Sequence, residues 1–162
     1  MSDLRFSDRS RSRRPRTVRL LAGLALPIAL FLAVALAPAA AQDAVVVIVH
    51  ADNPVSSFTT REVSDLFLKK AGTFPDGTKA VPVDLGERSD VRGAFSRWIH
   101  RKTTSAIKAY WQQMIFSGRG VPPPEKSSTA DVMAFVRGQR GGIGYVPQGT
   151  PLSPGVKAVT VQ

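Results

Sequence analysis

The chain has 162 residues, with 22 Lys and Arg against 12 Asp and Glu for a formal charge of +10, and no cysteine. That length allows one ordinary domain once a targeting segment is set aside, and the missing cysteines exclude a disulfide framework and a lipid-modified N-terminus. Half of the charge sits at the front, where seven arginines against Asp3 and Asp8 give +5; the remaining 15 basic and ten acidic residues are scattered, without interleaved aromatics, so nucleic acid is not an expected partner.

Residues 1–41 read as an export signal. Met1 to Arg19 is arginine-rich, Leu20 to Ala37 is apolar and uncharged, and Ala39, Ala40 and Ala41 place small residues at the cleavage positions. One domain is then expected over residues 42–162, starting at Gln42. The apolar run of 18 residues is also just long enough to span a bilayer, so a retained anchor is the competing reading. Arg13 and Arg14 are followed by Pro15 and Arg16, a poor twin-arginine pattern, and general secretion is expected.

Beyond the leader, strand-like and helix-like periods alternate. Ala44 to Val49 is a β-branched apolar run of strand length, broken by Asp52, Asn53 and Pro54. Thr59 and Glu62 form a capping box for a helix that buries Val63, Leu66 and Phe67 and ends at Gly72. Pro75, Asp76 and Gly77 mark a turn, and Lys79 to Asp84 the next strand. Ser89 caps a helix with Val91, Phe95, Trp98 and Ile99 on one apolar face. Thr103 or Thr104 starts another, with a stripe of Ile107, Tyr110, Trp111, Met114 and Ile115 ending at Ser117 and Gly118. Gly120 to Pro124 is loop, since its three successive prolines cannot donate to a ladder. Ser127 to Thr129 opens a last helix with Val132, Phe135 and Val136 inward, closed by Gly138; Gly142 to Pro147 and Val156 to Val161 complete the strands. The alternation implies a small α/β sandwich, with a mostly parallel central sheet and helices on its faces.

The segment Leu85 to Arg92 joins the second strand to the next helix. Bare N–H groups at a helix start, backed by the positive end of the macrodipole, suit phosphate, sulfate or carboxylate. Ser89 adds a hydroxyl, and Arg88 and Arg92 add charge. Asp90 works the other way, because its carboxylate can take the same N–H groups. The bland alternative is an ordinary capped helix start carrying a solvated Asp90 and Arg92 pair. Trp98 and Trp111 lie on apolar stripes and read as core, Tyr145 as a packing or hydrogen-bonding residue, and Arg119 as a solvated loop residue.

Catalytic patterns are missing. His50 and His100 are the only histidines, His50 and Asp52 lack a third metal ligand, and there is neither a nucleophile elbow nor a lysine-bearing phosphate loop. No catalytic residue, metal or cofactor is expected.

Several strings follow one another along the chain: Asn53-Pro54 with Ser56-Ser57, Leu66-Phe67, Pro75-Asp76-Gly77, Val81-Pro82-Val83, Tyr110-Trp111, Phe116-Ser117-Gly118-Arg119-Gly120 and Gly142-Ile143-Gly144-Tyr145-Val146. In this the chain resembles the periplasmic phosphate-binding proteins of ABC transporters, and among them the short, single-lobe members. The resemblance implies a single lobe of a periplasmic-binding-protein-like fold, a periplasmic location, a phosphate-like oxyanion as ligand and an ABC permease or other periplasmic protein as partner. Ser89 matches the serine of the family's phosphate loop, Arg92 an arginine often found just after it, and Glu87 a common acidic position. Leu85 stands where the family has a ligand-contacting arginine, Asp90 where it has the second glycine, and Val91 where it has a threonine. Two readings follow: a solute-binding protein whose monomer binds an oxyanion weakly, with a second copy or another protein closing over residues 86–92, or a single-lobe interaction module without a small-molecule ligand.

Overall fold

The computed structural model describes residues 45–162; the arginine-rich leader, the apolar run and the expected cleavage site lie outside the described residues. The first strand, β1 (Val45–His50), is buried over most of its length, as its β-branched run requires. A two-residue strand β2 (Ser57–Phe58) follows, then helix α1 (Thr60–Phe67). The capping box at its start is formed. The Thr59 hydroxyl accepts from Glu62 N at 3.2 Å, and Glu62 Oε2 accepts from Thr59 N at 2.7 Å. The helix stops five residues short of Gly72, because Lys69 takes the left-handed conformation with φ +53°. Gly72 instead lends its carbonyl to Ala80 N in a tight hairpin whose turn uses Gly77 at φ +83°.

The expected strand over Lys79 to Asp84 is split into β3 (Val81–Pro82) and β4 (Asp84–Leu85), which belong to different sheets. Helix α2 (Asp90–Ile99) comes next, with Ser89 as its N-cap, then α3 (Thr104–Phe116), capped by Thr103 and closed at Gly118 with φ +67°. The proline loop leads into β5 (Glu125–Lys126), which has no apolar signal in the sequence. Helix α4 (Thr129–Arg137), β6 (Gly142–Pro147) and β7 (Val156–Val161) complete the chain.

The fold is α/β, but the expectation of a mostly parallel central sheet needs correcting: the sheet is mixed. Its order is β2-β7-β1-β6-β3, and the two long pairings, β1 with β6 and β1 with β7, are antiparallel. The parallel pairs β2-β7 and β3-β6 are two residues long. Strand and helix alternation reports only how neighbours in sequence are joined. Here the central strand pairs with the last two strands of the chain, a closure between distant segments that sets direction independently of the local connections. The separate pair β4-β5 is parallel.

The core lies between this sheet and the helices. Phe67, Phe95 and Tyr145 form its aromatic centre, with the Phe95 and Tyr145 rings stacked at 3.9 Å between centroids. α4 lies close on β6 because Gly144 has no side chain; a Cβ there would come within 2.7 Å of Val132 Cγ1. α3 is held by a smaller cluster of Leu68, Ile107 and Trp111, with the Tyr110 hydroxyl donating to Leu68 O at 3.0 Å. Ile115, expected on the buried stripe, is 50% exposed, and Phe116 is 90% exposed. The buried residues of α3, Ile107 and Trp111, lie within its first eight residues, and in the last turn Met114 is only partly buried against their cluster. At the β3 edge, Val81 N and Val83 N donate to Gly141 O and Ile143 O of the neighbouring segment, with Pro82 between them. Among the described residues, no helix is long and apolar enough to cross a membrane.

Candidate functional site

β4 and β5 run side by side in register, Asp84 opposite Glu125 and Leu85 opposite Lys126, and Gly86 N donates to Lys126 O at 3.0 Å. Each strand runs directly into a serine-capped helix. Ser89 Oγ accepts from Arg92 N at 3.4 Å at the start of α2, and Ser128 Oγ accepts from Asp131 N at 3.1 Å at the start of α4. Two helix N-termini therefore rise from the carboxyl ends of adjacent parallel strands, the position at which open α/β folds hold ligands. A groove of about 760 Å³ opens there, lined by Gly86, Glu87, Arg88, Ser89, Glu125 and Ser127.

The sequence-derived residues separate into three kinds. Ser89 and Arg88 line the groove, and Arg88 forms no ion pair among the described residues. Asp90 is the exposed first residue of α2, outside the groove lining. Arg92 is 5% exposed, so it is neither a solvated partner of Asp90 nor a cation open to the groove. Its Nη1 donates to Leu85 O at 2.8 Å and to Glu125 Oε1 at 2.5 Å, and Nη2 lies 3.2 Å from Asp84 Oδ2. Being at the third position of α2, it points back across the strand ends and ties α2, β4 and β5 together.

Asp84 sits at the centre of this network. Tyr145 donates its hydroxyl hydrogen to Asp84 Oδ1, and Leu85 N donates to the same oxygen at 2.9 Å. Burial raises the Asp84 carboxyl above its ordinary pKa, while the charge of Arg92 and the Tyr145 hydroxyl act in the opposite sense. Burial, reinforced by the charge of Asp84, pushes the Tyr145 phenol far above its usual value, so the hydroxyl stays a donor. Against the cost of its own burial, the charges of Asp84 and Glu125 raise Arg92, which is a permanent cation.

The carboxylates in the groove lining are matched by cations. Glu87 takes Lys108 Nζ at 3.0 Å on both oxygens, and Glu125 takes Arg92. At the neighbouring helix start, Asp131 accepts from the Ser128 and Ser127 hydroxyls, which hold its carboxyl below the ordinary range. Sequence reasoning missed Glu125 and Ser127. The available signal was a repeated arrangement, an acidic residue followed a few positions later by a capping serine, at Asp84 to Ser89 and again at Glu125 to Ser128. Among the described residues, no group of three or more His, Cys, Asp or Glu is placed to hold a metal ion.

No family model matches the sequence, and neither does any curated protein. Solved structures do match in fold. A protein described as a phosphate ABC transporter substrate-binding protein from Clostridium perfringens, solved with bound phosphate, is 21% identical with a TM-score of 0.57, the match covering 74% of this chain and 45% of that one. An ABC-type phosphate transport receptor from Vibrio cholerae is 16% identical with a TM-score of 0.57, over 74% and 46%. PstS from Borrelia burgdorferi is 12% identical with a TM-score of 0.51, over 74% and 47%. The chain has the fold of phosphate ABC transporter substrate-binding proteins, across a little under half the length of each of these three.

Proposed function

We propose that the protein is an exported, periplasmic solute-binding protein whose groove at the carboxyl ends of β4 and β5 takes a phosphate-like oxyanion for an ABC permease. The observation that carries this reading is the convergence of two serine-capped helix starts on a groove where Arg88 has no ion-pair partner among the described residues and both lining carboxylates are neutralised by Lys108 and Arg92. Ser89 and the first N–H groups of α2 would bind the anion, Arg88 would add charge, and Arg92 would hold the strand ends in place. The Clostridium perfringens fold relative, solved with bound phosphate, supports the choice of ligand class. The reading assigns no catalytic residue, metal or cofactor.

A micromolar site corresponds to about 8 kcal/mol. Charge-assisted hydrogen bonds contribute roughly 1.5–3 kcal/mol each, so a ligand contacted from one side only falls near the millimolar range. Tight binding would need a second surface over residues 86–92. Calorimetry with inorganic phosphate, sulfate and arsenate at millimolar concentration tests the reading. Heat that falls several-fold in affinity on Arg88→Gln supports it, and no heat with any of the three ends it.

A second reading, a protein-interaction module without a small ligand, is favoured by two observations. Asp131 already takes both serine hydroxyls at the α4 start, and Ile115, Phe116 and Val121 leave apolar surface exposed. Asp90→Gly separates the two. Removing that negative charge from the α2 start raises oxyanion affinity if the groove binds anions, and leaves binding undetectable in both forms if it does not.

A further inference from the structure

We propose that the ligand of this site is an organic oxyanion, a phosphate ester or phosphonate with an apolar body, rather than inorganic phosphate alone; the inference rests on the oxyanion reading of the groove. A second groove of about 190 Å³ adjoins the first, its lining including Glu87, Arg92, Trp111, Ile115, Pro122 and Glu125. Glu87 and Glu125 belong to both linings, so the two grooves meet along these residues.

The grooves differ in chemistry. The first is walled by a glycine, two serines and Arg88; the second presents the apolar surfaces of Trp111, Ile115 and Pro122. The boundary is not a bare negative wall, because Lys108 pairs with Glu87 and Arg92 with Glu125. Arg92 lines the second groove with a side chain that is only 6% accessible, and its Nε has no hydrogen-bond partner among the described residues. Ile115 is half exposed, whereas Ile107 and Trp111 on the same stripe are buried, so it offers apolar surface at the groove. A volume of about 760 Å³ falls within the roughly 300–1,000 Å³ usual for sites that hold drug-sized ligands and far exceeds what a bare tetrahedral anion fills. An anionic head at Ser89 and Arg88 with an apolar body against Ile115 and Pro122 uses both halves.

Phenyl phosphate and inorganic phosphate, titrated calorimetrically into the protein and into Ile115→Ser, test this. The expected result is phenyl phosphate binding at least tenfold more tightly than inorganic phosphate, with Ile115→Ser abolishing that advantage and leaving inorganic phosphate unchanged. Because Ile115 is half exposed, the substitution leaves the fold intact, which circular dichroism checks. Equal affinity for the two, tighter binding of inorganic phosphate, or an advantage that survives Ile115→Ser overturns the inference while the oxyanion reading stands. Failure of both compounds to bind overturns the oxyanion reading and this inference with it.

Discussion

The Arg92 guanidinium and the Asp84 carboxylate face each other at 3.2 Å with almost no access to solvent, joining the first turn of α2 to the strand that precedes it. Burying two charges gains little over an apolar pair of the same shape, but removing one partner is severe. Arg92→Met strands a buried carboxylate and lowers stability by about 3–5 kcal/mol. The double variant Asp84→Asn with Arg92→Met recovers much of that loss. Urea denaturation midpoints of the wild type, both single variants and the double variant measure the coupling. Additive losses would mean that the pair does not act as a unit.

Tyr145→Phe keeps the stacking on Phe95 and deletes only the hydroxyl that donates to Asp84. The expected loss is about 1–3 kcal/mol, since a buried acceptor forfeits one donor while the Leu85 amide and Arg92 remain. Thermal unfolding of the two proteins side by side reads this out. A variant as stable as the wild type would show that Asp84 does not need the phenol.

His100 provides a pH dependence. Burial first, then the charges of Lys70 and Arg92, lower its pKa to about 4 from an ordinary 6.5, and its Nδ1 lies 2.9 Å from Ser64 Oγ. A base depressed in the folded state is neutral there and protonates more readily unfolded. Its stabilising contribution is therefore complete above pH 6.5 and is lost as pH falls from 6.5 toward 4. The loss amounts to about 3 kcal/mol. Asp84, raised by burial, works in the opposite sense, so the comparison with His100→Gln isolates the histidine. The difference in stability between the two proteins should change over that window and be flat above it.

Two glycines set how closely segments meet around β6. An alanine Cβ at residue 144 would lie 2.7 Å from Val132 Cγ1 and 3.1 Å from Val83 Cγ1, so Gly144→Ala pushes α4 off the sheet at a cost of about 1–3 kcal/mol. At residue 141 the same atom would lie 1.9 Å from Lys79 O, a backbone group that cannot turn aside. Gly141→Ala is therefore expected to be the more damaging of the two, by calorimetric melting temperature. The reverse order would point to α4 as the less yielding neighbour.

Features governed by short-range chemistry were legible in the sequence. The Thr59 and Glu62 box, the caps at Ser89 and Thr103, the glycine stop at 118 and the bounds of β6 and β7 all follow from side chains a few residues apart. What was hidden depends on partners far along the chain. The direction of β1 is set by strands roughly 100 residues later, β5 is a strand only because β4 lies beside it, and the break at Val83 arises because the chain changes sheets there. Arg92 shows the same division within the site. Its place in the first turn of α2 was readable, but its burial depends on Glu125, 33 residues away, and on the hydroxyl of Tyr145 holding Asp84 in line.

Pro82 has a consequence for how the molecule behaves among its own kind. Val81 and Val83 spend their amides on the inner neighbour, and the intervening residue has none, so the outer rim of the sheet offers a carbonyl and no donor. An incoming strand finds a single acceptor there and no donor to continue a ladder. At high concentration, this rim is closed to fibril growth by a single imino acid.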